Sequence, residues 1–150
     1  CRRDEGLTLQ WENVDFENRL LTFPQTKNGD ARTLPLSKRM MELLRELEGL
    51  NPQYVFPSRQ GSKTPHLVEP KNFLKGICKK IGIDHISPHD LRRTFATNLA
   101  FLGCGDSTIK ALKGEKGADV LNLHYVQQDK DKLKMWLDRH YEYCMGEHYA

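Results

Sequence analysis

The chain of 150 residues contains no apolar run near the roughly 18 residues that a membrane-spanning helix requires. It starts at Cys1 without an initiator methionine, and no signal-peptide pattern follows. Its four cysteines, Cys1, Cys78, Cys104 and Cys144, are scattered and form no C-x-x-C pair. That spacing supports neither a zinc knuckle nor a disulfide framework, and a reducing, cytoplasmic compartment is the default expectation. No repeat, low-complexity tract or linker divides the chain. Clustered carboxylates, which a metal-dependent nuclease would need, are missing as well.

What is present fits one globular domain. Hydrophobic residues make up 38% and charged residues 29%, in a chain long enough to bury a core. The formal net charge of +3 permits a local nucleic-acid patch without demanding one. At Cys1-Arg2-Arg3-Asp4-Glu5 an amphipathic helix is already under way, so the chain reads as a fragment whose N-terminal part is missing.

Local patterns predict a mainly helical α+β domain with one small three-stranded antiparallel sheet. Leu7, Leu9 and Trp11 end a first short helix, and Val14-Asp15 is a brief strand. Arg19 to Phe23 and Ala31 to Leu36 form a hairpin about Lys27-Asn28-Gly29-Asp30, because Asn-Gly suits the positive φ angles of tight turns. Ser37 caps a helix with the stripe Met40, Leu43, Leu44 and Leu47. Tyr54-Val55-Phe56 is short and extended, and Pro57 to Pro65 is loop. Pro70 opens a helix with the stripe Phe73, Leu74, Ile77, Cys78 and Ile81. Ser87-Pro88-His89-Asp90 starts another, with a Ser cap, Pro first and an acid three residues after the cap. Its core face is Leu91, Phe95, Leu99 and Leu102. A short helix over Ser107 to Leu112, closed by Gly114, and another over Asp119 to Val126 precede a last one over Lys130 to Cys144.

The informative residues, in order, are Arg2, Lys27, the run His89 to Thr97, and Tyr125. They supply a nucleophile, a proton-transfer group and fixed cations, a set suited to phosphoryl transfer from DNA to a tyrosine. His89 and Arg92 share a helix face in a first turn, where free N–H groups and the helix dipole favour an anion. Separately, His89 also reads as a capping-turn histidine and Arg92 as a solvated charge. Lys27 beside a hairpin tip can reach a minor groove and protonate a leaving oxygen, or is a plain turn lysine. Arg2 and Glu5, at i and i+3, can lock guanidinium to carboxylate, or form a surface pair worth little. Tyr125 is a nucleophile or a half-buried core aromatic; a free phenol has a pKa of about 10, which nearby cations lower. His85 and His89 have a metal-like spacing, but Pro88 and the helix start between them argue against a shared face. Lys71, Lys75, Lys79 and Lys80 recur on one side of their helix, as plain surface or as a DNA-backbone track.

Taken together these segments resemble the catalytic domain of the tyrosine recombinases, the phage-integrase family, over nearly the whole chain. Arg2 to Trp11 is similar to the first arginine box, and Gln25-Thr26-Lys27-Asn28-Gly29 to the hairpin of the catalytic lysine. Ser87 to Thr97 is similar to the His-x-x-Arg box, and His124-Tyr125-Val126 to the nucleophile box. The resemblance implies that Tyr125 attacks a phosphodiester, forming a 3′-phosphotyrosyl bond and releasing a 5′-hydroxyl. It gives Arg2 and Arg92 the stabilisation of the phosphoryl group, His89 proton transfer and Lys27 the protonation of the leaving oxygen. Because the covalent link stores the bond energy, neither metal nor cofactor is implied. Double-stranded DNA is the implied partner, with Arg32, Lys71, Lys75 and Arg93 as candidate DNA contacts. Self-assembly into a tetramer on DNA, a monomer without it and a phage or mobile-element origin in a prokaryote follow from the same likeness. The C-terminal helix, Lys130 to Cys144, is then a candidate to pack into a neighbouring subunit.

Two features depart from the family pattern. Glu115 stands where a histidine or tryptophan is usual, within Leu112-Lys113-Gly114-Glu115-Lys116. A carboxylate there is expected to turn away or to pair with Lys113 or Lys116. The family's N-terminal DNA-clamping domain also has no counterpart in residues 1–150. Two competing functions share much of this pattern: a type IB topoisomerase, and a decayed, non-catalytic DNA-binding module.

Overall fold

A computed structural model describes residues 2–24, 31–68, 71–115 and 129–146. The expected turn at Lys27 to Asp30, the helix opening at Pro70 and the helix over Asp119 to Val126 lie outside the described residues. The architecture is the expected one, mainly helical with one antiparallel sheet of three strands in the order β1-β2-β3. Helix α1 (Arg3–Leu7) and a 3-10 turn (Trp11–Asn13) lead into β1 (Val14–Asp15), β2 (Leu20–Phe23) and β3 (Arg32–Pro35). Then come α2 (Lys38–Leu47), α3 (Lys71–Ile81), α4 (Pro88–Phe101), α5 (Asp106–Lys113) and α6 (Lys130–Met145).

The β2–β3 register pairs Leu20 with Pro35 and Phe23 with Arg32. Alternation places Leu21, Phe23 and Leu34 inward. They pack with Leu36, Met41, Leu44 and Val55 into one core cluster. The 54–56 segment joins it: the Val55 N–H donates to Leu9 O at 3.0 Å and Tyr54 bridges to Gln10. A second cluster gathers Leu99 of α4, Ile109 and Leu112 of α5 and Leu133 of α6.

The helix caps follow the sequence. Ser37 Oγ accepts from the Met40 N–H at 3.1 Å. At Gly114, φ is +69°, and α5 ends with Gly114 N–H donating to Ala111 O and Glu115 N–H to Lys110 O. This double closure of the last turn needs a left-handed residue, and glycine adopts that conformation most readily.

The apolar stripes fit less well. In α2, Met41 rather than Met40 is buried, and Leu43 is exposed. In α3 only Cys78 is buried among the described side chains, while Phe73, Ile77 and Ile81 are exposed. Leu91 of α4 is exposed too, leaving Leu99 as that helix's buried anchor. Periodicity identifies an apolar face, but the neighbouring elements decide how much of it is covered.

The sheet and α6 are pinned together by charge. Arg19, a non-glycine residue at φ +57°, donates from Nη2 to both oxygens of Asp138 at 3.1 and 3.0 Å. It also donates to Leu36 O from Nε at 3.1 Å and Nη2 at 2.8 Å. Asp138 Oδ1 in turn accepts the Lys38 N–H at 2.7 Å, at the first turn of α2. One carboxylate of α6 therefore holds the first turn of α2 and Arg19, which in turn holds Leu36 just after β3. Asp138→Ala leaves a part-buried guanidinium and an uncapped N–H. The expected loss is about 1–3 kcal/mol of unfolding free energy, read as a lower urea midpoint at unchanged slope.

Candidate active site

The first turn of α4 is built by reciprocal capping. Ser87 Oγ accepts from the Asp90 N–H at 3.3 Å and donates to Asp90 Oδ2 at 2.6 Å, while the Ser87 N–H donates to Asp90 Oδ2 at 2.9 Å. These Ser87 hydrogen bonds hold the Asp90 carboxyl below its ordinary pKa. The turn is therefore tied down, with fewer open N–H groups than its position predicts. Pro88 has no N–H, and the Asp90 N–H is already engaged by Ser87. An anion here has to be held chiefly by side chains. His89 is exposed, and Arg92 lies one turn further on, with its side chain only 19% exposed.

Arg92 reaches across to the end of α5. Its Nη2 donates to Lys113 O at 3.0 Å and to Glu115 Oε1 at 3.2 Å. Lys113 Nζ lies 2.8 Å from the same Glu115 oxygen. The hydrogen bond from Lys113 outweighs the opposing burial and, with Arg92, holds the Glu115 carboxyl below its ordinary pKa. Glu115 thus pairs with Lys113, one of the two lysines expected for it, and also with Arg92, which no local pattern indicated.

A second arginine grips the same helix end. Arg32 Nη1 donates to Gly114 O at 3.0 Å, and its Nη2 donates to Glu5 Oε2 at 2.7 Å. Its guanidinium lies over the Phe23 ring, 5.1 Å from the centroid. The side chain is only 11% exposed, with its donors turned to Glu5 and Gly114. Its isolated chain offered no hint of this, because each partner is distant in sequence. The carbonyls of Lys113 and Gly114 thus each receive a guanidinium, a favourable arrangement at the negative end of a helix dipole.

Arg2 is exposed at the N-cap of α1. Glu5 does not lock its guanidinium; Glu5 Oε2 accepts the Arg2 backbone N–H at 2.6 Å and is paired with Arg32 instead. Burial opposes ionisation of Glu5, but the Arg2 N–H and the Arg32 charge outweigh it and lower the pKa. A continuous chain of contacts therefore runs from the Arg2 backbone through Glu5, Arg32 and Gly114 to the segment held by Arg92. Lys27 and Tyr125 lie outside the described residues. Lys75 and Arg93 are exposed, and Lys71 is the first residue of α3. Among the described residues no group of three or more His, Cys, Asp or Glu is placed to hold a metal, and no helix is long and apolar enough to cross a membrane. Burial pushes the Cys104 thiol up to about 11, so it offers no thiolate nucleophile at neutral pH.

The sequence profile of the phage integrase family matches residues 1–132. The chain belongs to that family. It is 27% identical to the prophage integrase IntF of Escherichia coli over 98% of its own length and 32% of that protein's. Tyrosine recombinase XerA of Saccharolobus solfataricus is 32% identical over 85% of this chain and 43% of the relative. The integrase from mycobacterium phage Brujita shares the fold, with a TM-score of 0.72 at 21% identity, over 93% of this chain and 46% of that one. The integrase chain thus spans less than half the length of each of these proteins.

Both depressed glutamates link folding to pH with the same sign. Their stabilisation is complete above the ordinary glutamate pKa and is lost as pH falls through the depressed one. The urea midpoint should fall in that acid range. Glu5→Gln should flatten the decline while lowering stability at neutral pH. An acid limb equally steep in wild type and variant would show that Glu5 carries no such linkage.

Proposed function

We propose that this integrase-family chain is the catalytic portion of a site-specific tyrosine recombinase, which cuts and rejoins double-stranded DNA through a 3′-phosphotyrosyl intermediate. The supporting observation is the convergence of α4, β3 and the Arg2 turn on the end of α5. It ties the Arg2 backbone, through two side chains, to the turn that anchors Arg92. Arg2 and Arg92 hold the non-bridging phosphoryl oxygens, and His89 assists proton transfer. The Tyr125 oxygen bonds to phosphorus as the bond to the 5′-oxygen breaks, and Lys27 gives that oxygen its proton. Attack by a 5′-hydroxyl reverses the step and frees the tyrosine. Lys71, Lys75 and Arg93 track the DNA backbone, and four copies act together on paired sites.

Glu115 needs its own account. A carboxylate about 4 Å from a phosphate costs on the order of 4 kcal/mol at an effective dielectric of 20. Lys113, at 2.8 Å, offsets that charge, so the carboxylate leaves Arg92 to the phosphate and stays with the lysine. The pairing of Glu115 with Arg92 also favours a second reading, a decayed DNA-binding module whose arginine is permanently occupied.

Nicked suicide DNA separates these readings. Wild type should form a covalent adduct, and Tyr125→Phe should form none while still binding the DNA. Adduct persisting in the variant would move the nucleophile elsewhere, with Tyr141 the next residue to replace; binding without adduct in wild type would favour the decayed module. Relaxation of supercoiled DNA without site preference would favour the topoisomerase-like activity.

Glu115→His restores a donor at a position now held by a carboxylate, and one missing donor typically costs about 10²–10³ in rate. Single-turnover cleavage should therefore rise, or at least not fall. A large loss with folding intact would mean that the carboxylate itself takes part.

A further inference from the structure

We propose that Arg32 is a positioning residue, which sets the separation between the Arg2 turn and the Lys113–Glu115 turn that anchors Arg92. This rests on the recombinase reading above. One oxygen, Glu5 Oε2, accepts both the Arg2 N–H at 2.6 Å and Arg32 Nη2 at 2.7 Å. At its other edge the same guanidinium donates to Gly114 O, next to the Lys113 carbonyl that Arg92 holds. Only a planar group with donors on two edges spans both sites at once; a lysine ammonium is a single point of charge.

The energetics favour placement over stability. Desolvating a buried ion pair commonly outweighs its attraction unless every polar atom is satisfied. Here Glu5 Oε1 and Arg32 Nε are buried without a hydrogen-bond partner among the described residues. Two apolar side chains of similar volume would hold these elements together at least as well, but would fix no angle between them. The main chain also makes room for the guanidinium. A Cβ on Gly114 would fall inside contact distance of Arg32 Cζ, Nε and Nη1. The glycine thus answers two demands, the left-handed turn and the close approach of Arg32.

The test compares wild type with Arg32→Lys, which keeps the charge and removes the fork. Covalent capture of nicked DNA is measured in single turnover at saturating DNA, per folded molecule. Noncovalent affinity and its salt dependence are measured in the Tyr125→Phe background. Positioning predicts a capture rate lower by about 10²-fold, the scale expected of a small misplacement of reacting groups. Affinity should stay within about twofold and the salt slope should not change, because no phosphate contact is lost. A slope reduced by about 1 would make Arg32 a phosphate contact and overturn the proposal. An unchanged rate per folded molecule would reduce the bridge to a fold contact and overturn it too.

If Arg32→Lys does not fold, Glu5→Ala, which removes the oxygen shared by the Arg2 N–H and Arg32, is read in the same assays with the same expectations. If wild type forms no adduct, the recombinase reading fails, and sulfate titration followed by the NMR signals of the arginine Nε–H groups decides the matter. Binding felt by Arg2 and Arg92 in wild type and weakened at least tenfold in Arg32→Lys supports the proposal. Equal binding in both proteins, or none in wild type, overturns it.

Discussion

The Arg32 guanidinium is the contact on which the arrangement of the candidate site depends. It joins three pieces of chain that have no local reason to meet: α1, β3 and the end of α5. One of its hydrogen-bond partners is a carboxylate and the other a helix-end carbonyl, where positive charge is favoured. Its two partners, Glu5 and Gly114, are 109 residues apart in sequence, yet a single planar group spans them. The remaining features of the site hang on this frame. The Arg2 backbone is fixed through Glu5, and the α5 end is held in place for Arg92 to grip.

Around that frame the charges are nearly balanced within the protein. Arg92 and Lys113 share Glu115, Arg32 takes Glu5, and Arg19 takes Asp138. Such internal pairing keeps cations ordered in a part-buried site. It also means that an incoming phosphate competes with a carboxylate for Arg92 before it can be held. The rigid capping box at Ser87 serves the same order. It fixes the first turn of α4 with its own carboxylate.

The α6 helix shows a comparable economy. Leu133 inserts into the second core cluster, and Asp138 ties the sheet and the start of α2 to the same helix. The described part of α6 is therefore engaged within its own chain, whatever it contacts in an assembly. The exposed apolar residues Phe73, Ile77 and Ile81 contrast with it, because α3 has an apolar stripe of the same kind and only Cys78 is buried among its described side chains.

Much of the fold could be read from the residues alone. Ser37 and Ser87 mark helix starts and Gly114 a helix end because capping chemistry is local and acts within one turn. The strand pair on either side of Asn28-Gly29 follows from alternation, within a residue at each end. The His89 to Thr97 segment also points to the family that the sequence profile bears out. What sequence could not decide is which groups face each other across the chain. Which carboxylate Arg32 meets, whether Glu115 turns to Lys113 or also to Arg92, and which apolar stripes are covered all depend on elements brought together over long separations. No periodicity or motif encodes those distances; they are fixed by α6 against β3, by α4, α5 and α6 on one another, and by the Arg32 bridge.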